Sequence, residues 1–211
     1  MPPPFSKEEY DYRVARVRAS MSKLGIEVLL IGDPSNINWL TGYDAWSFYT
    51  PQILLLDLHE GPFWIGREMD SGAATFTTYL PSSQIISYPE DLVQRNDKHP
   101  SEFIAAWMEK SGYGGAVVGY ESDVYYTSAR SVALLKLNLK SAKWMQADLL
   151  INWERLVKSE AELLVMTQAA QIADLAMQKA WEKTRPGVRQ CDLMADILSA
   201  QIKGTSDFGG D

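Results

Sequence analysis

Cysteine and histidine are scarce in this chain of 211 residues, which contains one cysteine and two histidines. A single cysteine, Cys191, cannot form a disulfide within the chain, so we expect a reducing, cytoplasmic environment. No histidine follows it closely in sequence, which favours a buried structural thiol over a nucleophile. His59 and His99 have no second ligand at the spacing of a metal-binding motif, and their neighbours are typical of turns and loops. We therefore expect both histidines to be ordinary surface residues.

Long apolar runs and clusters of basic residues are also absent from the sequence. No stretch approaches the roughly 20 apolar residues of a membrane-spanning helix, and the Pro-rich, then charged, N-terminus is unlike a signal peptide. Acidic residues outnumber basic ones 27 to 20, for a net charge of −7. Nucleic acids and anionic lipids attract clustered Lys and Arg. We therefore expect neither a nucleic acid nor a membrane as a partner.

The first 150 residues alternate between helical and strand patterns. Ser6 and Glu9 form a capping box that begins a helix, and Gly25 ends it. Further helices are predicted at 69–80, 101–110 and 127–139, and strands at 28–31, 52–58, 62–65, 84–87, 115–119 and 143–146. Strands separated by helices indicate an α/β fold with a mixed sheet and helices on both faces, in which the hairpin of 52–58 and 62–65 is antiparallel.

The pattern changes near residue 150. A second capping box, Ser159 with Glu162, begins a long helix that reaches about Thr184, and another helix is predicted at 189–203. Two helices with no sheet to cover make a poor domain, because their apolar faces need a partner layer. We therefore predict one domain at residues 1–155 and the incomplete start of a second at 156–211.

Two sequence landmarks resemble those of a known family. Residues 33–43 read Asp-Pro-Ser-Asn-Ile-Asn-Trp-Leu-Thr-Gly-Tyr, and residues 155–162 read Arg-Leu-Val-Lys-Ser-Glu-Ala-Glu. Their order and separation resemble the creatinase, prolidase and aminopeptidase P family. The resemblance implies a creatinase-type N-terminal domain followed by the first helices of a truncated pita-bread α+β domain, in a homodimer. It also implies that the catalytic residues lie downstream of Asp211, so no catalytic or metal-binding residue is assigned in this chain.

Within that family, residues 43–49 and 204–211 are most similar to the ectoine hydrolase branch. This implies an enzyme that opens the cyclic amidine of ectoine, an ectoine-like small-molecule substrate, and no cofactor in this chain, which alone is expected to be inactive. It also brings Asp211 near the substrate. Two alternatives remain open: a proline-specific peptidase (prolidase or aminopeptidase P) that binds divalent metal ions downstream, and a non-catalytic dimerisation or binding module.

The segment 43–49 supplies the candidate substrate-binding residues. They are Tyr43, Asp44, Trp46, Phe48 and Tyr49. Aromatic faces bind cations and Asp44 adds a negative charge, which suits an amidinium. In the family, the N-terminal domain reaches the active site of the partner subunit, so these residues are predicted to act in trans. The alternative, equally weighted, is that the aromatic rings only cap the sheet edge. Substrate binding predicts exposed side chains and capping predicts buried ones.

Overall fold

The computed structural model describes residues 3–209, which form one compact unit that ends at Leu156 and a second that begins at Val157. The helices are α1 (Lys7–Leu24), α2 (Pro34–Thr41), α3 (Ser71–Thr77), α4 (Pro100–Lys110), α5 (Ala129–Asn138), α6 (Leu150–Glu154), α7 (Glu160–Lys183) and α8 (Gln190–Lys203). The strands are β1 (Val28–Ile31), β2 (Ile53–Asp57), β3 (Phe63–Arg67), β4 (Ile85–Tyr88), β5 (Val117–Tyr120) and β6 (Lys143–Gln146). The first unit therefore contains all these strands and α1–α6.

The six strands form one mixed sheet in the order β4-β3-β2-β1-β5-β6. Strand β2 is antiparallel to β3, as the predicted hairpin requires, and also to β1, whereas β1, β5 and β6 run parallel to one another. The predicted α/β fold with a mixed sheet is thus confirmed, and β4 and β6 are its two edge strands. Because β1, β5 and β6 are parallel, their carboxyl ends meet at one edge of the sheet.

Strand β1 shows how the sheet is covered on both faces. Leu29 and Ile31 belong to the core that includes the apolar side of α1, while Val28 and Leu30 belong to a second core with α4 and α5. All four side chains are at least 96% buried, the most exposed being Leu30 at 4%. Burying one such side chain contributes about 1.5–3 kcal/mol. A continuous apolar run is therefore the pattern that a central, doubly covered strand needs.

The helix boundaries follow local capping, with two differences from the sequence prediction. The Ser6 side chain accepts a hydrogen bond from the Glu9 N–H, and Gly25 ends α1 with a φ of 70°, as predicted. The helix predicted at 69–80 is instead a short 3-10 turn followed by α3, which ends where Thr78 becomes extended. The β-branched Thr78 turns its hydroxyl back to donate to the Ala74 carbonyl. Helix α6 was not predicted, because five residues are too few for a periodic pattern.

The second unit consists of the two predicted helices, α7 and α8. The Ser159–Glu162 capping box is present, with the Glu162 carboxylate accepting from the Ser159 N–H at 2.8 Å. No residue of α8 is fully buried. Cys191, in the first turn of α8, is exposed, which corrects the expectation of a buried thiol. Among residues 3–209, neither α7 nor any other helix is both long and apolar enough to cross a membrane.

Candidate functional site

A buried carboxylate organises the sheet edge at which β1 and β5 end. Glu121 directly follows β5 and is 4% exposed. Its Oε2 accepts the backbone N–H groups of Gly32 and Asp33, both at 2.8 Å, and its Oε1 accepts from Asn36 Nδ2 at 2.6 Å. Burial raises the pKa of Glu121 above its ordinary value, although these three hydrogen bonds lower it. Glu121 thus holds the turn after β1 and the first residues of α2 against the end of β5.

The same network extends to an arginine. Arg155 Nη1 donates to Asn36 Oδ1 at 2.6 Å, so Asn36 connects the arginine to Glu121. Sequence reasoning noted Arg155 only as part of a landmark and missed Asn36 and Glu121 as a pair, since 85 positions separate them. The available signal was that both follow apolar strand runs closely, where polar side chains of neighbouring parallel strands meet.

An open groove lies at this edge, with a volume of about 730 Å³. It is lined by Pro34, Ser35, Asn38, Tyr43, Asp44, Ala45, Trp46 and Arg155. Small-molecule sites typically have volumes of about 300–1,000 Å³. A neighbouring cavity between the sheet and α4 and α5 measures about 30 Å³, enough for one or two waters at most. Of these two spaces, only the groove can admit a substrate.

The side chain of Tyr43 is buried, although the residue lines the groove. It is 1% exposed, its hydroxyl donates to Gln52 Oε1 at 3.2 Å, and its ring centre lies 5.5 Å from that of Trp64. Burial raises the pKa of Tyr43 far above its ordinary value. The expectation of an exposed side chain is wrong here, because Gly42, with a φ of 80°, turns the chain so that the next ring enters the core. Tyr43 remains part of the groove lining.

The other four candidate residues are exposed. Trp46 is 56% exposed, Phe48 83% and Tyr49 55%, and Asp44 is also exposed. The Trp46 ring makes edge contacts with Phe48 at 6.1 Å and with Tyr126 at 5.7 Å. Sequence reasoning missed Tyr126, which comes from the distant segment between β5 and α5. Asp44 and Trp46 line the groove, whereas Phe48 and Tyr49 are outside its lining.

Hydrogen bonds fix the loop that carries these residues. The Asp44 N–H donates to Thr77 Oγ1 at 3.1 Å, near the end of α3. Farther along, the Ser47 and Thr50 hydroxyls are 2.5 Å apart, and the Thr50 N–H donates to Ser47 Oγ at 3.1 Å. The loop is thus anchored to α3 before Trp46 and held by an internal turn after it, which restricts where the indole can lie.

The histidines do not join this site. His59 is exposed, as expected. His99 is not an ordinary surface residue, because it is the N-cap of α4. Its Nδ1 accepts a hydrogen bond from the Ser101 N–H at 3.1 Å, a role that Ser, Thr, Asn or Asp usually fills. Burial lowers the pKa of His99. Among residues 3–209 no three His, Cys, Asp or Glu side chains are grouped to hold a metal ion, and Asp211 lies outside the described residues.

Comparison with known proteins adds sequence and fold similarity. Residues 13–157 match the family described as the Creatinase/Prolidase N-terminal domain. A Sinorhizobium fredii protein named "uncharacterized hydrolase/peptidase" is 44% identical over 210 residues, covering 98% of this chain and 53% of the relative. The ectoine hydrolase of Halomonas elongata is 39% identical over 214 residues, covering 99% and 54%. A solved prolidase from Thermococcus sibiricus has the same fold, with a TM-score of 0.71 at 18% identity over 98% of this chain and 52% of its own. The chain thus spans about half the length of the relatives it matches.

Proposed function

Because the chain belongs to the creatinase/prolidase family, we propose that it is the N-terminal part of a hydrolase in that family whose substrate is an ectoine-like cyclic amidine. The observation that carries the proposal is 39% identity to an ectoine hydrolase over 99% of this chain. Opening the amidine ring of ectoine gives N-acetyl-diaminobutyrate. The proposal includes a cytoplasmic homodimer in which the first unit of one subunit serves the active site of the other.

In this proposal the first unit binds substrate and the catalytic groups lie in the rest of the protein. Amidine hydrolysis needs water delivered to the ring carbon and a proton delivered to the departing nitrogen. The groove supplies substrate binding instead, since Trp46 offers an aromatic face to a planar cation and Asp44 offers a negative charge. A cation held against an aromatic face contributes about 0.5–2 kcal/mol, depending on its desolvation.

The alternative is a proline-specific peptidase of the same family. It is favoured by the name "hydrolase/peptidase" carried by the relative that is 44% identical. That activity calls for divalent metal ions, held by residues outside this chain. The two candidates differ in what removes their activity, because a chelator abolishes a reaction that depends on bound metal.

Turnover of two substrates distinguishes the candidates. The protein that contains this chain together with the remaining half found in its relatives is incubated with ectoine or with a Xaa-Pro dipeptide, with and without a chelator. We expect ectoine to be converted to N-acetyl-diaminobutyrate, detected by mass spectrometry, and the dipeptide to remain intact. The 1–211 chain alone should convert neither. Chelator-sensitive cleavage of the dipeptide would establish the peptidase instead, and conversion of neither by the longer protein would indicate a binding module.

A further inference from the structure

The groove combines both signs of charge beside one aromatic ring. Among the described residues that line it, Asp44 and Arg155 are the two charged ones, and Trp46 supplies the large aromatic face. A ligand with only positive charge meets the arginine unfavourably, and a ligand with only negative charge meets the aspartate unfavourably. A small molecule that carries one charge of each sign matches the lining best.

We propose that Arg155 binds the carboxylate of a zwitterionic ligand in this groove, while Asp44 and Trp46 bind its cationic part. This inference rests on the proposed function and deepens it, since ectoine carries an amidinium and a carboxylate on one ring. It assigns Arg155 as a residue that determines substrate specificity, a role that the sequence pattern did not suggest.

The position of Arg155 is set by the buried network beneath it. Its Nη1 donates to Asn36 Oδ1 at 2.6 Å, and Asn36 is fully buried and donates in turn to Glu121. The Glu121 carboxylate is fixed by the backbone N–H groups of the two residues that directly follow β1. A guanidinium has five N–H donors in a rigid fork and keeps its full charge whatever its contacts in the protein. Holding it in one orientation reduces the entropy lost when a carboxylate binds.

The aspartate on the same groove is also held by its backbone. The Asp44 N–H donates to Thr77 Oγ1, which fixes the main chain from which the carboxylate projects. The adjacent Tyr43 carbonyl accepts from Asn38 Nδ2 at 3.1 Å, and Asn38 itself lines the groove. The two charges therefore come from separate, anchored segments, the loop after α2 and the end of the first unit.

A pair of matched ligands tests the assignment. The 1–211 chain is titrated with ectoine and with ectoine methyl ester, which keeps the amidinium but lacks the carboxylate charge, and tryptophan fluorescence is recorded. Trp46→Phe identifies the part of the signal that comes from the groove. We expect ectoine to bind about tenfold more tightly than the ester, the low end for a hydrogen bond to a charged group.

Substitutions of Arg155 then show which residue causes the preference. Arg155→Gln should bring the two dissociation constants together by weakening ectoine binding and leaving the ester unchanged, and Arg155→Lys should restore part of the preference through its charge. Arg130→Gln is the matched control, since it removes one positive charge from an exposed position of α5 that lies outside the groove. It should preserve the tenfold difference.

Three outcomes would overturn the inference. One is a tenfold preference that persists in a folded Arg155→Gln variant, which leaves the proposed hydrolase untouched. Another is a wild-type preference that does not shrink when salt is raised, because a partly exposed charge pair must be screened; this measurement holds even if Arg155→Gln melts early. The third is a wild-type chain that binds neither ligand. The proposed function is tested separately, by turnover of ectoine by the longer protein.

Discussion

Replacing Trp46 by alanine separates a binding role from a structural one. A tryptophan side chain offers at most about 250 Å², so with 56% of the residue exposed about 110 Å² of Trp46 is buried. At about 25 cal/mol per Å² this corresponds to at most about 3 kcal/mol, and a compact unfolded chain reduces it to about 2 kcal/mol. The contacts with Phe48 and Tyr126 are included in this value.

The matched control is Trp64→Ala, because Trp64 is 0% exposed in the core of the same unit. Truncating a buried tryptophan costs about 3–5 kcal/mol. For a unit of this size each kcal/mol lowers the melting temperature by about 2–4 °C. We therefore expect a decrease of about 4–8 °C for Trp46→Ala and about 6–20 °C for Trp64→Ala, measured by circular dichroism. At 25 °C both variants are then compared for ectoine binding by calorimetry.

Trp46→Ala should weaken ectoine binding by about fivefold, equivalent to about 1 kcal/mol for an exposed cation–π contact. Trp64→Ala, where it stays folded, should bind ectoine with nearly normal affinity. The reasoning is refuted if Trp46→Ala lowers the melting temperature by well over about 8 °C, the upper bound for a half-exposed side chain, since the indole then belongs to the core. It is equally refuted if the variant keeps its stability and binds ectoine as tightly as the wild type.

Gly42→Ala should destabilise the first unit by about 1–3 kcal/mol in urea unfolding, because the φ of 80° is strained for alanine and the new Cβ would lie 2.9 Å from the Tyr10 hydroxyl. Gly25→Ala, with a φ of 70° and open space around its Cβ, should cost only about 1 kcal/mol, and equal losses would contradict the clash. Burial raises the pKa of Glu121, so the folded state binds this proton more readily than the unfolded chain. The free energy of unfolding should therefore fall as pH rises from about 4.5 through the raised pKa, and Glu121→Gln should flatten that slope; an unchanged slope would refute the assignment. Limited proteolysis should cut near Leu156, which is 62% exposed, and retain the first unit, because helices with few buried side chains open easily; equal protection of both units would contradict this.

Local sequence signals predicted most of the fold because each acts within a few residues. The Ser6 cap and the Ser159 capping box begin helices at the predicted positions, and the apolar run at 28–31 is the central strand. The helix predicted at 69–80 is too long for a reason that is also local. Residues 69–80 include threonines, whose hydroxyls hydrogen-bond their own backbone and end α3 early.

The candidate site was predicted only where its residues are neighbours in sequence. Asp44 and Trp46 line the groove, but the same segment buries Tyr43, because a left-handed glycine sets the direction of its side chain and periodicity does not. Arg155 and Tyr126 reach this edge through the strand order of the sheet. Pairing of β1 with β5 brings segments about 90 residues apart into contact, which no spacing along the chain records.

Net charge is a poor guide to the ligand for a related reason. The chain carries a net charge of −7, which alone favours cations. Yet among the described residues the groove lining carries one aspartate and one arginine, so its charges balance. At physiological ionic strength charges are screened over about 8 Å, and a ligand in the groove experiences mainly those nearest to it. The overall charge therefore bears on partners as large as nucleic acids, whereas we propose that two side chains, Asp44 from a loop and Arg155 from the end of the first unit, select the small molecule.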